Sequence, residues 1–328
     1  MGTKETLAGL LAAGGEEYIS GEEIARKLGV SRGAVWKSMK ALEKEGYKIE
    51  AVPNKGYRLS AENDRISLET LTAMLGDAAE LFSLEVYDST DSTNTRLKSR
   101  AEELPDWSVA VAGAQTAGRG RVGRSFFSPA GTGLYLSVLL KQRELLRQAG
   151  NLTTAAAVAA CHAIETCTDA RPGIKWVNDV FVEGKKVCGI LTEASVNFET
   201  GAPDWAVMGI GFNVYVPEGG FPEEVAQVAG AITAERKKNL RVRLAAAFLR
   251  AFYEVCAVQG SEGLYAEYRA RCFVPGKQIY VLRGDKKIPA LALDIRQDYA
   301  LLVQYEDGTQ EALTAGEVSI RPTEPRWE

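Results

Sequence analysis

The sequence predicts an α+β protein built from three successive units, and three observations carry that expectation. A helical, basic segment ending in a hairpin comes first. A middle follows in which strands succeed one another between a few helices. A tail of short strands and turns closes the chain.

The first unit, residues 1–62, reads as a winged helix-turn-helix. "KETLAGLLAAG" sets leucines at 7, 10 and 11 on a helix. "SGEEIARKLGV" begins at Ser20 or Gly21, carries acids in its first turn and places Ile24 and Leu28 one turn apart. Gly29 makes the turn, Ser31 caps "SRGAVWKSMKALEKEG", and Gly46 ends that helix. Its inner face is Val35, Met39 and Leu42, which leaves Ser31, Arg32, Trp36, Lys37 and Lys40 outward. "YKIEAVPNKGYRLS" then gives two short strands around a turn with Asn54 and Lys55. A three-helix packing module with a solvated basic face is the bland reading. The turn glycine, the cap and the basic hairpin together favour DNA.

Residues 60–68, "SAENDRISL", read as a polar linker. The second unit, residues 63–270, mixes strands such as "SLEVYDST", "LYLSVLL", "KVCGILTEAS" and "WAVMGIGFNVYV" with the helices "NLTTAAAVAACHAIETC" and "VRLAAAFLRAFYEVCA". Strands largely in succession suggest one mixed sheet backed by helices. The third unit, residues 271–328, holds "QIYVLRG", "IPALALDIR", "YALLVQYEDG" and "EVSIRP", the pattern of a small β-barrel.

A net charge of −4 over 328 residues gives no whole-protein reason to meet nucleic acid or membrane. The distribution is uneven: residues 1–25 hold one base and five acids, whereas residues 26–58 hold nine bases and three acids. That local excess is a patch suited to phosphate. Five cysteines form no C-x-x-C pair and His162 is the only histidine, which argues against a zinc cluster and against a histidine-activated nucleophile. His162 lies in an apolar helical run and is expected to pack. An odd cysteine count, no leader pattern and no bilayer-length apolar run suggest a soluble cytoplasmic protein.

"AGRGRVGRSFFSP" raises the chemical question, because three arginines among glycines repel one another without an anion. Gly118, Gly120 and Gly123 satisfy G-x-G-x-x-G, but a turn and the strand "LYLSVLL" follow where a dinucleotide site needs a helix. No P-loop pattern occurs either. What remains is a loop whose backbone N–H groups and arginines can hold carboxylate or phosphate, mobile when empty and ordered by ligand. Upstream, "DSTDSTNTRL" places Ser92, Thr93 and Asn94 after a strand, suited to an uncharged polar head group or simply to a helix cap. Downstream come Lys175, Asn178 and Asp179 in "KWVND", Lys186 in "KKVCGIL", and Asn213 after the glycine turn of "GIGFN".

"DSTN", "AGRGRVGRSFFSP", "KWVND", "KKVCGIL" and "GIGFN", in this order, resemble the biotin–protein ligase family, and the N-terminal unit resembles its bifunctional ligase/repressor branch. The likeness spans essentially the whole chain. Val122 and Val177 depart from the arginine and proline of many relatives. The resemblance implies a class II synthetase-like central domain and an SH3-like C-terminal barrel. It also implies activation of biotin by Mg2+-ATP to biotinyl-5′-adenylate, then transfer to a lysine of the biotin carboxyl carrier protein.

It further implies roles for single residues. Ser92, Thr93, Asn94 and Gln115 would meet biotin's ureido ring. Arg119, Gly120 and Arg121 would line the biotin and phosphate loop, with Gly118, Arg124, Lys175, Asn178 and Asn213 on ATP or the adenylate. Lys186 and Arg121 would act on the reacting centre, and Asp179 on the incoming lysine or on metal. No protein-bound metal site is expected. Ser31, Arg32, Trp36, Lys37, Lys40, Asn54 and Lys55 would bind operator DNA, with a homodimer strengthened by the adenylate and no membrane partner. Two other readings are a lipoate or octanoate ligase and a ligand-sensing regulator without ligase activity.

Overall fold

The structure, a computed structural model, describes residues 2–142, 146, 149–195, 203–257, 260–284, 286–314 and 316–320. Three helices begin the chain: α1 (Thr3–Ala13), α2 (Gly21–Leu28) and α3 (Arg32–Lys44). Ser20 and Ser31 cap α2 and α3 by accepting from the backbone N–H of Glu23 and Ala34. Gly29 takes the left-handed conformation that ends α2, with φ 64°. Leu7, Leu11, Ile24, Val35, Met39 and Leu42 close a separate core beneath them. The wing is the antiparallel pair β1 (Ile49–Val52) and β2 (Gly56–Leu59). Gly56 is required there, because φ is +115° and a Cβ would overlap Ile19 O.

The expected polar linker is not one. Asn63 and Asp64 are buried, and a further helix, α4 (Leu68–Leu75), starts from a capping box on Ser67. Asn63 donates to Asn239 Oδ1 at 2.8 Å and accepts from Lys48 N at 3.0 Å. Arg241 donates through Nε to Asp64 Oδ2 at 2.7 Å, and through Nη1 to Gly133 O at 3.2 Å. Partners far away in sequence absorb this polarity and tie the segment to the central body. Ala73 and Met74 of α4 also pack against the N-terminal core.

The central sheet has seven strands in the order β3-β4-β5-β9-β8-β7-β6. They are β3 (Ser83–Tyr87), β4 (Ser108–Ala112), β5 (Gly133–Leu140), β6 (Gly173–Lys175), β7 (Asp179–Val182), β8 (Lys185–Ala194) and β9 (Ala206–Asn213). Only β3 and β4 pair in parallel, so the sheet is mixed as expected. A short helix, α5 (Thr93–Lys98), follows β3, and two long helices, α6 (Ala149–Cys167) and α8 (Leu240–Ala257), lie on one face. A four-residue helix, α7 (Glu223–Ala226), precedes α8, and α9 (Gly260–Arg271) follows it.

Strand alternation decides which face does what. Leu134, Leu136 and Val138 of β5 join Met208, Ile210 and Phe212 of β9 in the core under α6 and α8. Their neighbours Ser137, Gly209 and Gly211 therefore point to the opposite face, where the ligand loops lie. His162 departs from expectation. It sits at the edge of α6 with Nε2 2.5 Å from Glu267 Oε1, and Glu267 also accepts from Arg271 at 2.8 Å.

The C-terminal strands β10 (Gln278–Arg283), β11 (Lys286–Ile295), β12 (Leu301–Tyr305), β13 (Gln310–Leu313) and β14 (Glu317–Ile320) form an antiparallel sheet in the order β13-β12-β11-β10-β14. Its apolar face shares the central core, and Trp176 Nε1 donates to Tyr299 O at 2.9 Å across the junction. No helix among the described residues is long and apolar enough to cross a membrane.

Candidate ligand and catalytic site

On the face of the sheet away from α6 and α8 lies a cavity of about 660 Å³. Strands β6 to β9, the segments that follow β3 and β4, and two strands of the C-terminal sheet supply its lining. Glycines make the room. A Cβ on Gly209 would overlap Asn94 Oδ1, and one on Gly211 would overlap the Phe126 ring. The alternate glycines of "GIGFN" are thus a floor rather than a turn.

Of the ligand residues expected from sequence, Ser92, Thr93, Asn94, Gln115, Arg119, Gly120, Arg121, Arg124, Lys175, Asn178, Asp179, Lys186 and Asn213 all line this cavity. Gly118 does not. It is buried behind the loop, where a Cβ would overlap Phe126 O and Ser128 Oγ, so its role is to let two backbone segments meet. The sequence reading missed Ser137, Glu193, Phe126 and the C-terminal residues Leu282, Val318 and Ser319.

Ser92 occupies the N-cap position of α5 but makes no capping hydrogen bond with its side chain. The helix-cap explanation for "DSTN" therefore fails at Ser92, whose side chain lines the cavity instead. Gln115 Oε1 accepts from Thr93 N at 2.9 Å, and Gln115 Nε2 donates to Ser128 Oγ at 3.1 Å.

The glycine loop contains a single 3-10 turn, Arg121–Gly123, and returns on itself through Gly120 N to Arg124 O at 2.7 Å. Arg121 Nη1 donates to Asn178 Oδ1 at 3.0 Å, and Asn178 Nδ2 donates to Ile190 O at 2.9 Å. Arg119 Nη1 lies 3.5 Å from Glu193 Oε1.

Lys186 follows the β7–β8 hairpin. Its N–H donates to Val228 O at 2.8 Å and its carbonyl accepts from Gly230 at 2.9 Å, which fixes the backbone. Its Nζ lies 2.7 Å from Asp179 Oδ1. That contact is an ion pair outside hydrogen-bond angles, so the buried Oδ1 has no hydrogen-bond donor. The Trp176–Val177 peptide before them is cis.

Burial and polar neighbours shift acidity in opposite directions beside the cavity. Burial alone would raise Glu193, but hydrogen bonds from Lys98 and Asn94, with Arg119 nearby, hold its carboxyl below the usual range. Complete burial pushes the Cys188 thiol well up, which leaves it protonated and inert as a nucleophile. Among the described residues no cluster of three His, Cys, Asp or Glu could hold a metal. Asp179 and Glu224 are the carboxylates lining the cavity. This donor set fits a magnesium ion carried in mainly by nucleotide phosphates and water.

The outward residues of α3 and the wing form a second surface. Ser31 spends its hydroxyl on the α3 cap. Trp36 is 59% exposed. Lys40 pairs with Glu43 at 2.6 Å. Arg32, Lys37 and Lys55 are exposed and make no ion pair among the described residues, and Asn54 sits at the wing tip with φ 64°. The basic patch is therefore weaker than its composition: Lys27, Lys48 and Arg58 are also paired with acids.

Comparison with known proteins agrees with both surfaces. Residues 86–213 match the biotin/lipoate A/B protein ligase family, and residues 4–58 match an HTH domain. The bifunctional ligase/repressor BirA of Bacillus spizizenii is 34% identical over 283 residues, covering 84% of this chain and 82% of the relative. That of Escherichia coli K12 is 31% identical over 324 residues, covering 97% of each. The solved biotin protein ligase from Aquifex aeolicus in complex with biotin and ATP is 27% identical. It covers 74% of this chain and 99% of its own, with a TM-score of 0.60. With its ligand cavity, its glycine–arginine loop and its winged helix, this chain belongs to the biotin/lipoate A/B protein ligase family, among the bifunctional ligase/repressors.

Proposed function

We propose that the chain joins biotin to ATP in this cavity, passes the biotinyl group to a lysine of a biotin carboxyl carrier protein, and represses biotin genes through its winged helix. The carrying observation is that an uncharged polar pocket (Ser92, Thr93, Gln115) and a cationic one (Arg119, Arg121, Lys186) adjoin in one cavity. The first suits a urea; the second suits two anions that must meet.

In the first half-reaction a carboxylate oxygen of biotin bonds to the α-phosphorus of ATP, and the bond to pyrophosphate breaks. Both reactants are anions. Lys186 and Arg121 offset that repulsion and the charge that builds on the α-phosphate. Their tethers, Asp179 and Asn178, hold them in place before substrate arrives. Magnesium, when bound with the nucleotide, supplies further charge neutralisation on the phosphates. In the second half-reaction the amine of the carrier lysine attacks the acyl carbon and AMP leaves. Asp179 lies beside Lys186, and its carboxylate can accept a hydrogen bond from that amine.

The adenylate would also favour a homodimer that presents two α3 helices to successive or more widely spaced major-groove faces, with Asn54 and Lys55 on flanking backbone. Biotin-dependent exchange of labelled pyrophosphate into ATP tests the ligase. Exchange with biotin is expected; exchange with lipoate or octanoate but not biotin would move the substrate, and none at all would leave a regulator.

A further inference from the structure

Beneath the cavity, buried and half-buried polar side chains form one continuous chain of hydrogen bonds. Lys98 Nζ lies 2.7 Å from Glu193 Oε1. Asn94 Nδ2 donates to Glu193 Oε2 at 2.9 Å and to Leu191 O at 3.4 Å. Ser137, fully buried in the middle of β5, has Oγ 2.6 Å from Asn94 Oδ1 and 2.7 Å from Thr93 Oγ1.

One arrangement of protons satisfies the shortest contacts of this chain. A carboxylate accepts and never donates, so Glu193 requires the Nδ2 side of Asn94. Asn94 Oδ1 then faces Ser137. It also can only accept, and it takes the single Ser137 proton. The contact angles suit Ser137 as donor to Thr93, but its one proton is spent on Asn94, which leaves the Thr93 proton to fill that contact. Thr93 Oγ1 lies 3.2 Å from Gln115 Oε1 as well, but one proton cannot serve both, and the 2.7 Å contact to Ser137 is the shorter. Thr93 is left with lone pairs and no proton for the cavity.

Gln115 is oriented in the same way. Its Oε1 is held by Thr93 N, so its Nε2 uses one proton on Ser128 and keeps the other. The pocket therefore presents an acceptor, Thr93 Oγ1, beside a donor, Gln115 Nε2. A cyclic urea has the complementary N–H and C=O. A hydrocarbon chain or a dithiolane ring has neither.

We propose that Glu193 is the residue that sets specificity in this site: its negative charge fixes the direction of the Asn94–Ser137–Thr93 chain and so selects a cyclic urea. It acts as a positioning residue, since other side chains stand between it and the ligand's ring. Lys98 and Arg119, the cations that face it at 2.7 and 3.5 Å, keep it charged. This inference rests on the biotin reading and deepens it.

The test is pyrophosphate release at saturating ATP by the full-length chain, Glu193→Gln and Ser137→Ala. Biotin and desthiobiotin, which share the urea, serve as substrates; lipoate, which lacks it, serves as competitive inhibitor. A glutamine can turn either end to Asn94, so the chain loses its fixed direction. Glu193→Gln should raise KM for both urea compounds about ten- to a hundredfold, the cost of one misdirected buried hydrogen bond. The kcat should fall much less, and the inhibition constant of lipoate should stay put. Unchanged KM, or an equal loss for lipoate, would overturn the proposal by showing no role or a merely structural one. Should Glu193→Gln lack a cooperative melt, Ser137→Ala decides by the same criteria, because it cuts the relay without removing charge. Wild-type protein that releases no pyrophosphate with biotin would sink the biotin reading instead, before either variant is compared.

Discussion

The ligand cavity and the DNA face are both cationic, yet they treat their cations in opposite ways. In the cavity Lys186 rests on Asp179, Arg121 on Asn178 and Arg119 on Glu193. On α3 and the wing, Arg32, Lys37 and Lys55 have no such partner among the described residues. The physical difference is solvent. A half-buried cation without a partner is costly and wanders, whereas catalysis needs charge fixed where it develops in the transition state. An exposed cation remains hydrated at little cost and gains on binding by releasing counterions from DNA. Changes in the cavity should therefore be large and geometric, and changes on the DNA face small and salt-dependent.

The largest effect tests the first half of that contrast. Lys186→Ala should slow adenylate formation about 10²- to 10³-fold, the range for loss of one preorganised donor. Asp179→Ala should slow it less, because the charge remains but its tether is gone, and should slow transfer to the carrier lysine more. Single-turnover formation and transfer of the adenylate, measured separately, give both numbers. Equal loss in the first step would mean that holding Lys186 is the main task of Asp179.

Next in size is the junction between the two regions. Asp64 and Arg241 are both buried, and removing one member of such a pair typically costs about 3–5 kcal/mol. Asp64→Ala should lower the denaturation midpoint accordingly. Deleting residues 1–62 keeps this pair and should leave a folded ligase of reduced stability, since α4 loses its partner α1. Deleting residues 1–64 should be markedly worse. If the two deletions melt alike, Gly133 O alone holds Arg241 and the segment is a linker after all.

These junction residues show where a single sequence stops being legible. The helix caps, the wing and the succession of strands were local patterns, and the structure has them. The cationic loop and "KWVND" were conspicuous because clustered charge and glycine need a reason. Asp64 looked like linker because its partner lies 177 positions away. Ser137 in "LYLSVLL" and Glu193 in "GILTEAS" looked like ordinary strand residues. Only register brings them together, with Gly209 opposite both Ser137 and Leu191. His162 sat in an apolar string, and its pairing with Glu267 depends on how α9 crosses α6. What sequence withholds is the partner of a polar residue, which tertiary packing alone decides.

The smallest effect sharpens the other half of the comparison. Lys37 and Lys40 both face outward on α3, and composition treats them as equal. The structure does not, because Lys40 Nζ is held 2.6 Å from Glu43 while Lys37 is unpaired among the described residues. A cation already paired must give up that partner to meet phosphate, which offsets part of its gain. Lys37→Ala should therefore weaken operator binding several-fold and lower the salt slope by about 1, one phosphate contact. Lys40→Ala should do clearly less to both. Glu43→Ala should release Lys40 and bring a later Lys40→Ala up to the Lys37 value. Mobility shifts over a range of salt, with biotin and ATP present throughout, measure all four proteins against wild type. Equal slopes for Lys37→Ala and Lys40→Ala would show that pairing on this exposed face is too weak to matter. Charge would then act there by number alone, in full contrast to the cavity, where position decides.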